Sequence, residues 1–149
     1  MYKINEQLTF EKISNGDIND AKTLLKENDL CYTDIPKENL DIFKVLDSNV
    51  IVGYLGLEHY GSDAVLRAVV IKDNFRGRNL GRTMTLLGID AAKDRGIKSL
   101  YLLTITAKNF FSKFGFKVMV RKDVPEAVGK SEEFLNFCPD TATCMMLSL

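Results

Sequence analysis

The chain has 149 residues, 46% of them hydrophobic, and twenty Lys plus Arg are balanced by twenty Asp plus Glu. That length accommodates one domain with a real core, residues 1–149, and is short for two. A formal net charge of +0 leaves no global field to draw the chain to nucleic acid or to a membrane surface, so any anion recognition must be local.

In chain order, residues 1–10 hold no apolar run of signal-peptide length, and nothing later approaches the ~20 apolar residues of a membrane span, so a cytoplasmic location is expected. Leu8 to Ile13 reads as a strand, and Ser14-Asn15-Gly16-Asp17 opens a helix with the apolar stripe Ile18, Ala21, Leu24 and Leu25. Leu30 to Asn39 is irregular. Asp41 to Leu46 and Val50 to Tyr60 read as strands joined by the turn Asp47-Ser48-Asn49, and Gly61-Ser62 turns the chain into a third antiparallel strand, Ala64 to Lys72. From Leu80 the apolar period becomes helical through Met84, Leu87 and Ala91, with Gly96 as the stop. Ser99 to Thr106 is again a strand, and Thr141 to Leu147 the last. Cys31, Cys138 and Cys144 contain no Cys-x-x-Cys pair and stand beside a single histidine, His59, so no metal is expected.

The segment from Leu66 to Thr106 is thus strand, helix, strand, a connection whose length makes the two strands parallel. Between the first strand and the helix lies Arg76-Gly77-Arg78-Asn79-Leu80-Gly81-Arg82. A helix N-terminus leaves its first NH groups without partners and carries the positive end of the dipole, so this turn is a candidate anion site. Gly77 and Gly81 permit close backbone approach, Asn79 tolerates a left-handed turn, and Arg76, Arg78 and Arg82 add positive charge. The pattern lacks the Gly-Lys-Ser/Thr of a nucleotide P-loop and the three glycines of a dinucleotide fingerprint.

These residues resemble the acetyl-CoA signature of the GNAT family of N-acetyltransferases, Arg/Gln-x-x-Gly-x-Gly/Ala before a long helix, with Asn79 in place of the middle glycine. Ala107 to Phe116, with Phe110-Phe111 and Gly115-Phe116, resembles the family's second cofactor segment. Gly56-Leu57-Glu58, Leu66-Arg67, Leu102-Leu103-Thr104, Val124-Pro125-Glu126-Ala127 and Phe137-Cys138-Pro139 are similar to arsenic-resistance N-acetyltransferases and N-acetylglutamate-synthase-like enzymes. The likeness runs over about residues 50–149.

The resemblance implies an α/β fold of near seven strands: a mixed, mostly antiparallel sheet with a central, splayed parallel pair and helices on both faces. It also implies acetyl-CoA as co-substrate, with the pantetheine amides on Val69, Val70 and Ile71, the pyrophosphate on the loop Arg76, Gly77, Arg78, Asn79, Leu80, Gly81 and Arg82, and Thr104 and Phe111 beside the cofactor. A backbone NH near Val70 is the implied oxyanion donor. The family's usual tyrosine acid falls at Phe111 and its frequent asparagine at Thr104, so the leaving thiolate departs unassisted or takes a proton from water, Thr104 or Thr106. The implied reaction moves the acetyl group to the amine of a small amino acid or amino-acid-like oxyanion by direct attack in a ternary complex, so the expected partner is a small-molecule amine, with no nucleic acid, no membrane, and a monomeric or homodimeric state. A protein amine as acceptor and a CoA-binding sensor without turnover are the competing readings, and Val124 to Phe137 is the expected substrate-side segment.

Glu58 and Arg67 carry the substrate-side expectations. A two- or four-residue loop at Gly61-Ser62 places Glu58 opposite Val65 and diagonal to Arg67 on one face, whereas a three-residue loop separates them. Glu58 is then either a base that takes or orients the amine, or a solvated carboxylate. Arg67 interrupts an apolar strand, where an unpaired charge is costly, and reads as either a clamp for a substrate oxyanion or the internal partner of Glu58.

Overall fold

Two turns set the frame of the sheet. Ser48 and Asn49 both take left-handed φ, +50° and +71°, and join Leu40–Asp47 (β3) to Val50–Tyr60 (β4) through a loop of the type whose twist suits a hairpin. Gly61, at φ +65°, and Ser62 then join β4 to Asp63–Ile71 (β5), with Tyr60 opposite Asp63. The computed structural model describes residues 2–3 and 8–149; residues 1 and 4–7 of the expected domain lie outside the described residues.

Around this meander the sheet has, among the described residues, eight strands: Tyr2–Lys3 (β1), Leu8–Lys12 (β2), β3, β4, β5, Ser99–Thr104 (β6), Lys117–Val118 (β7) and Thr143–Ser148 (β8). Their spatial order is β1-β2-β3-β4-β5-β6-β8-β7, antiparallel throughout except for β5 and β6. The expected mixed sheet with one parallel pair is therefore present, one strand richer than near seven. The strand expected over Ser99 to Thr106 stops at Thr104, and Ile105 and Thr106 form a bend.

Helices cover both faces. Ile18–Glu27 (α1) follows a single 3-10 turn in which the Ser14 amide donates to Asp17 Oδ2 at 2.9 Å, and it buries Ala21 and Leu25 against Ile42, Tyr54 and Val70. Leu80–Asp94 (α2) buries Leu80, Met84, Ile89 and Ala92 against the opposite face, on Val52, Leu55, Leu57 and Leu66. It ends as expected at Gly96: φ is +76°, the Gly96 NH donates to Lys93 O, and the Ile97 NH reaches back to Ala92 O. The short helices Lys108–Ser112 (α3) and Glu126–Gly129 (α4) follow, and Glu133–Phe137 forms one wide helical turn. Val128 and Phe134 from these last two segments pack on Val65, Tyr101 and Cys144.

One feature of β5 has no forerunner in the sequence pattern. Gly56 lies opposite Arg67 and Tyr54 opposite Val70, so β5 spends two residues, Ala68 and Val69, where β4 spends one. Ala68 takes the left-handed conformation at φ +58°, which marks a β-bulge in the pairing of β5 with β4. Gly53 serves the same junction, because a Cβ there would stand 2.4 Å from the Val70 carbonyl oxygen. Gly53→Ala is expected to cost about 1–3 kcal/mol in urea unfolding, as backbone must move to admit the methyl group. An unchanged midpoint would mean that β4 and β5 yield freely at this point.

Candidate active site

β5 and β6 pair only at Asp63 with Ser99, Ala64 with Leu100 and Val65 with Tyr101. Beyond Val65 the strands diverge, so β5 from Leu66 onward loses its ladder partner on that side and its polar backbone groups face the gap. A cleft of about 680 Å³ fills the gap, lined by Leu66, Arg67, Ala68 and Val69 of β5 and by Leu102, Leu103 and Thr104 of β6. Its rim is built by Asn28, Asp29 and Leu30 after α1, by Ile105 to Ala107 with Phe110 and Phe111, and by Glu133 with Phe137, Cys138 and Pro139. The splayed pair expected from the sequence thus opens a wedge, and Val124 to Phe137 contributes to its wall.

The glycine-arginine loop stands beside the wedge. The first bond of the α2 ladder runs from the Thr83 NH to Asn79 O at 3.2 Å, so the NH groups of Leu80, Gly81 and Arg82 precede it, and Asn79 caps the helix without a side-chain hydrogen bond. Asn79 at φ +59° and Gly77 at φ +82° both take the left-handed conformation that the sequence pattern anticipated. Gly81 abuts the wedge: a Cβ there would lie 3.5 Å from Cζ of the cleft-lining Phe110 and 3.6 Å from Cδ1 of Ile71.

The arginines divide by role. Arg76 spans the loop, donating from Nε to the Ile71 carbonyl at 3.2 Å and from a guanidinium nitrogen to Asn28 Oδ1 at 2.6 Å, and pairing with Asp73. The Ile71 carbonyl is thereby already engaged. Arg78 lies over the Phe75 ring, 3.8 Å from an Asp47 oxygen, while Arg82 forms no ion pair among the described residues. Val70 and Ile71 are not among the cleft-lining residues: the Val70 side chain is buried beneath α1, and the bulge brings Ala68 and Val69 to the cleft in their place. Thr104 lines the cleft and accepts the Ala107 NH at 3.0 Å through its hydroxyl. Phe111 lines it too, with Phe110 beside it, while Phe116 is core.

On the inner side lies a buried charge cluster. The two-residue loop sets Glu58 opposite Val65, and Arg67 Nη1 donates to Glu58 Oε1 at 2.7 Å, so the internal pair is the geometry adopted. The same guanidinium holds Asp34 through two bonds of 2.7 and 2.8 Å and donates to the Cys31 carbonyl at 3.2 Å. Both terminal nitrogens are thus taken by the protein's own oxygens, while Nε has no hydrogen-bond partner and Arg67 lines the cleft. Glu58, fully buried, also receives Lys37 Nζ at 3.2 Å and the Tyr60 hydroxyl, and it is not among the cleft-lining residues. Burial disfavours ionised Asp34, yet its bonds to Arg67 prevail and hold its pKa below the usual value. Burial likewise disfavours the Arg67 charge, but the Asp34 and Glu133 carboxylates push its pKa up.

Sequence reasoning named neither Asp34, Lys37 nor Glu133. Asp34 and Lys37 sit in the irregular Leu30 to Asn39 stretch, and Glu133 adjoins Glu132 with no pattern to tell the buried acid from its half-buried neighbour. Among the described residues no group of three or more metal-ligating side chains converges, and no helix is long and apolar enough to cross a membrane.

Comparison with known proteins gives the frame for this geometry. No curated protein matches the chain. Among solved structures, an N-acetylglutamate synthase from Neisseria gonorrhoeae, complexed with coenzyme A and L-arginine, superposes with a TM-score of 0.78 at 16% identity over 97% of this chain. The chain spans only 34% of that protein. A GNAT-family acetyltransferase from Staphylococcus aureus gives 0.74 at 17% identity over 95% of this chain and 99% of that one. A spermidine N-acetyltransferase mutant from Vibrio cholerae gives 0.72 at 16% identity over 97% and 95% of the two chains. These likenesses establish the fold, and the family model for acetyltransferases of the GNAT family matches residues 10–116, most of the sequence. The chain belongs to the acetyltransferase (GNAT) family.

Proposed function

We propose that the protein transfers an acetyl group from acetyl-CoA to the primary amine of a small molecule by direct attack in a ternary complex. The observation that carries this reading is the wedge between β5 and β6, where Leu66 to Val69 lack a partner on the β6 side, beside the unpaired amides at the start of α2. Acetyl-CoA supplies the activated acetyl thioester. The pantetheine amides would pair with the free edge of β5 at Ala68, Val69 and Val70 as an added strand does. The pyrophosphate would lie on the NH groups of Leu80, Gly81 and Arg82, with Arg78 and Arg82 near it and Arg76 fixing the loop. A backbone NH of the Ala68 to Val70 bulge would serve the oxyanion, and Phe110, Phe111 and Thr104 would wall the thioester end.

An amino acid or an arsenic-containing amino-acid analogue is the acceptor that the resemblance of the Glu58, Arg67 and Cys138 segments implies. The internal pairing of Arg67 weighs against an acceptor that needs its guanidinium for a carboxylate. A buried, charged inner wall favours a small amine over a protein amine, and a CoA sensor without turnover is separated by one measurement. That measurement is thiol release from acetyl-CoA over a panel of amino acids, arsenic-containing analogues, polyamines and peptides. Acetyl-CoA at a hundred times its dissociation constant should also stabilise the native chain by about 2.7 kcal/mol.

Gly81→Val tests the cofactor placement. The fold should survive, because the added Cβ meets only ordinary contacts with Phe110 and Ile71. Acetyl-CoA affinity should fall by about ten-fold or more, since a β-branched side chain obstructs backbone approach, and Arg76→Ala should cost less. Calorimetric titration decides it: a folded Gly81→Val protein with unchanged affinity would move the pyrophosphate elsewhere.

A further inference from the structure

We propose that Glu133 is the acceptor-side base of this enzyme, anchoring the incoming ammonium group and taking its proton. The assignment rests on the acetyl-transfer reading above and adds to it the group that frees the amine. Glu133 is 6% exposed and lines the wedge from its wide helical turn, beside Arg67 of β5. Its Oε2 has no hydrogen-bond partner, and neither has the Arg67 Nε facing it at 3.6 Å. That separation is too long for a hydrogen bond and leaves an acceptor and a donor both unsatisfied where burial makes this costly. Oε1 receives only the Cys138 thiol at 3.8 Å.

The surroundings suit the role. Arg67 of β5 faces Glu133, with Glu58 of β4, Asp34 of the segment after α1 and Cys138 of its own segment nearby. Burial outweighs the attraction of Arg67 and raises the Glu133 carboxyl to about 7, where a base is half available at neutral pH. With Glu133 ionised, three carboxylates, Asp34, Glu58 and Glu133, meet two cations, Arg67 and Lys37, so an ammonium group restores the balance. Glu58 is a poor alternative, being committed to Arg67, Lys37 and Tyr60 behind the cleft wall. One ammonium proton passes to the Glu133 carboxylate, directly or through one water. The freed lone pair forms the N–C bond to the acetyl carbonyl as the C–S bond breaks, and the electron pair leaves with sulfur, which is protonated on release. The amine's second proton is lost to solvent as the amide forms.

The test pairs Glu133→Gln with two probes: 1,4-diaminobutane, protonated at neutral pH, and O-methylhydroxylamine, which is not. Turnover of 1,4-diaminobutane should fall about 10²–10⁴-fold and lose the limb that rises with pH near neutrality. O-methylhydroxylamine should lose far less, and the variant should keep its thermal stabilisation by acetyl-CoA. In the unaltered protein, carbon NMR should place the titration of the Glu133 carboxyl near neutrality, a readout that needs no variant. Equal losses with both probes, or an unchanged pH profile, would overturn the assignment. Absence of thiol release from the unaltered protein with every amine would count against acetyl transfer itself. In that case a Glu133 carboxyl titrating at its ordinary value, or equal calorimetric binding of 1,4-diaminobutane to both proteins, would separately overturn the role of Glu133.

Discussion

Replacing Arg67 by methionine is expected to destabilise the fold by about 3–5 kcal/mol at pH 7, the usual cost of deleting one partner from a buried ionic cluster. The side chain is 1% exposed and holds Asp34 through two bonds and Glu58 through one, with Glu133 close by. Methionine fills much of the volume but leaves those carboxylates with Lys37 as the remaining cation near them. The pH dependence distinguishes this cause from lost packing. In the native chain Asp34 has a lowered pKa, so its contribution is present above the unfolded value and fades as pH falls through the folded one. Without Arg67 the buried carboxyls have raised folded pKa values, and the variant binds more protons folded than unfolded. Its deficit against the unaltered chain should therefore shrink from pH 7 to pH 5. Urea unfolding at the two pH values measures this, and a loss under about 1 kcal/mol, or one that grows in acid, would show the cluster to be energetically slack.

Much of the frame could be read from the sequence because it is written in local chemistry. Strand-like runs bounded by turn residues located β3, β4 and β5, the change to a helical period at Leu80 located α2, and Gly96 fixed its end, each within a residue or two. The pairing of Glu58 with Arg67 followed from loop length alone, once Gly61-Ser62 proved a two-residue turn. What stayed hidden depends on contacts between distant segments. Asp34 meets Arg67 from 33 positions away, and Glu133 reaches the same guanidinium from a wide helical turn with no periodic signature. The divergence of β5 from β6 was expected on family resemblance, but the bulge at Ala68 was not. Nothing about an alanine announces a left-handed backbone, which glycine or asparagine would more readily supply.

Ala68 is accordingly where a small change should have a large effect on the site. Arg67 and Ala68 both avoid the α2 face, and from Val69 the alternation resumes, with Val69 and Ile71 toward α2 and Val70 toward α1. Ala68→Val places a β-branched side chain at φ +58°, a conformation such residues scarcely adopt, and packs two extra carbons beside Tyr54 and Val70 in a position only 5% exposed. The expected loss is about 2–4 kcal/mol, combining backbone strain with overpacking. Relief by ironing out the bulge would shift β5 by one residue against β4 and turn Val69 and Ile71 from their present face. Acetyl-CoA affinity should then fall by about ten-fold or more, as the free edge that lines the wedge is rebuilt out of register. Ala68→Gly is the matched control: it relieves the strain, adds unfolded-state entropy, and should leave stability within about 1 kcal/mol and affinity intact. Urea unfolding and calorimetric titration of both proteins decide the matter. A valine variant as stable and as tightly bound to acetyl-CoA as the unaltered chain would mean that the bulge does not shape the cofactor edge.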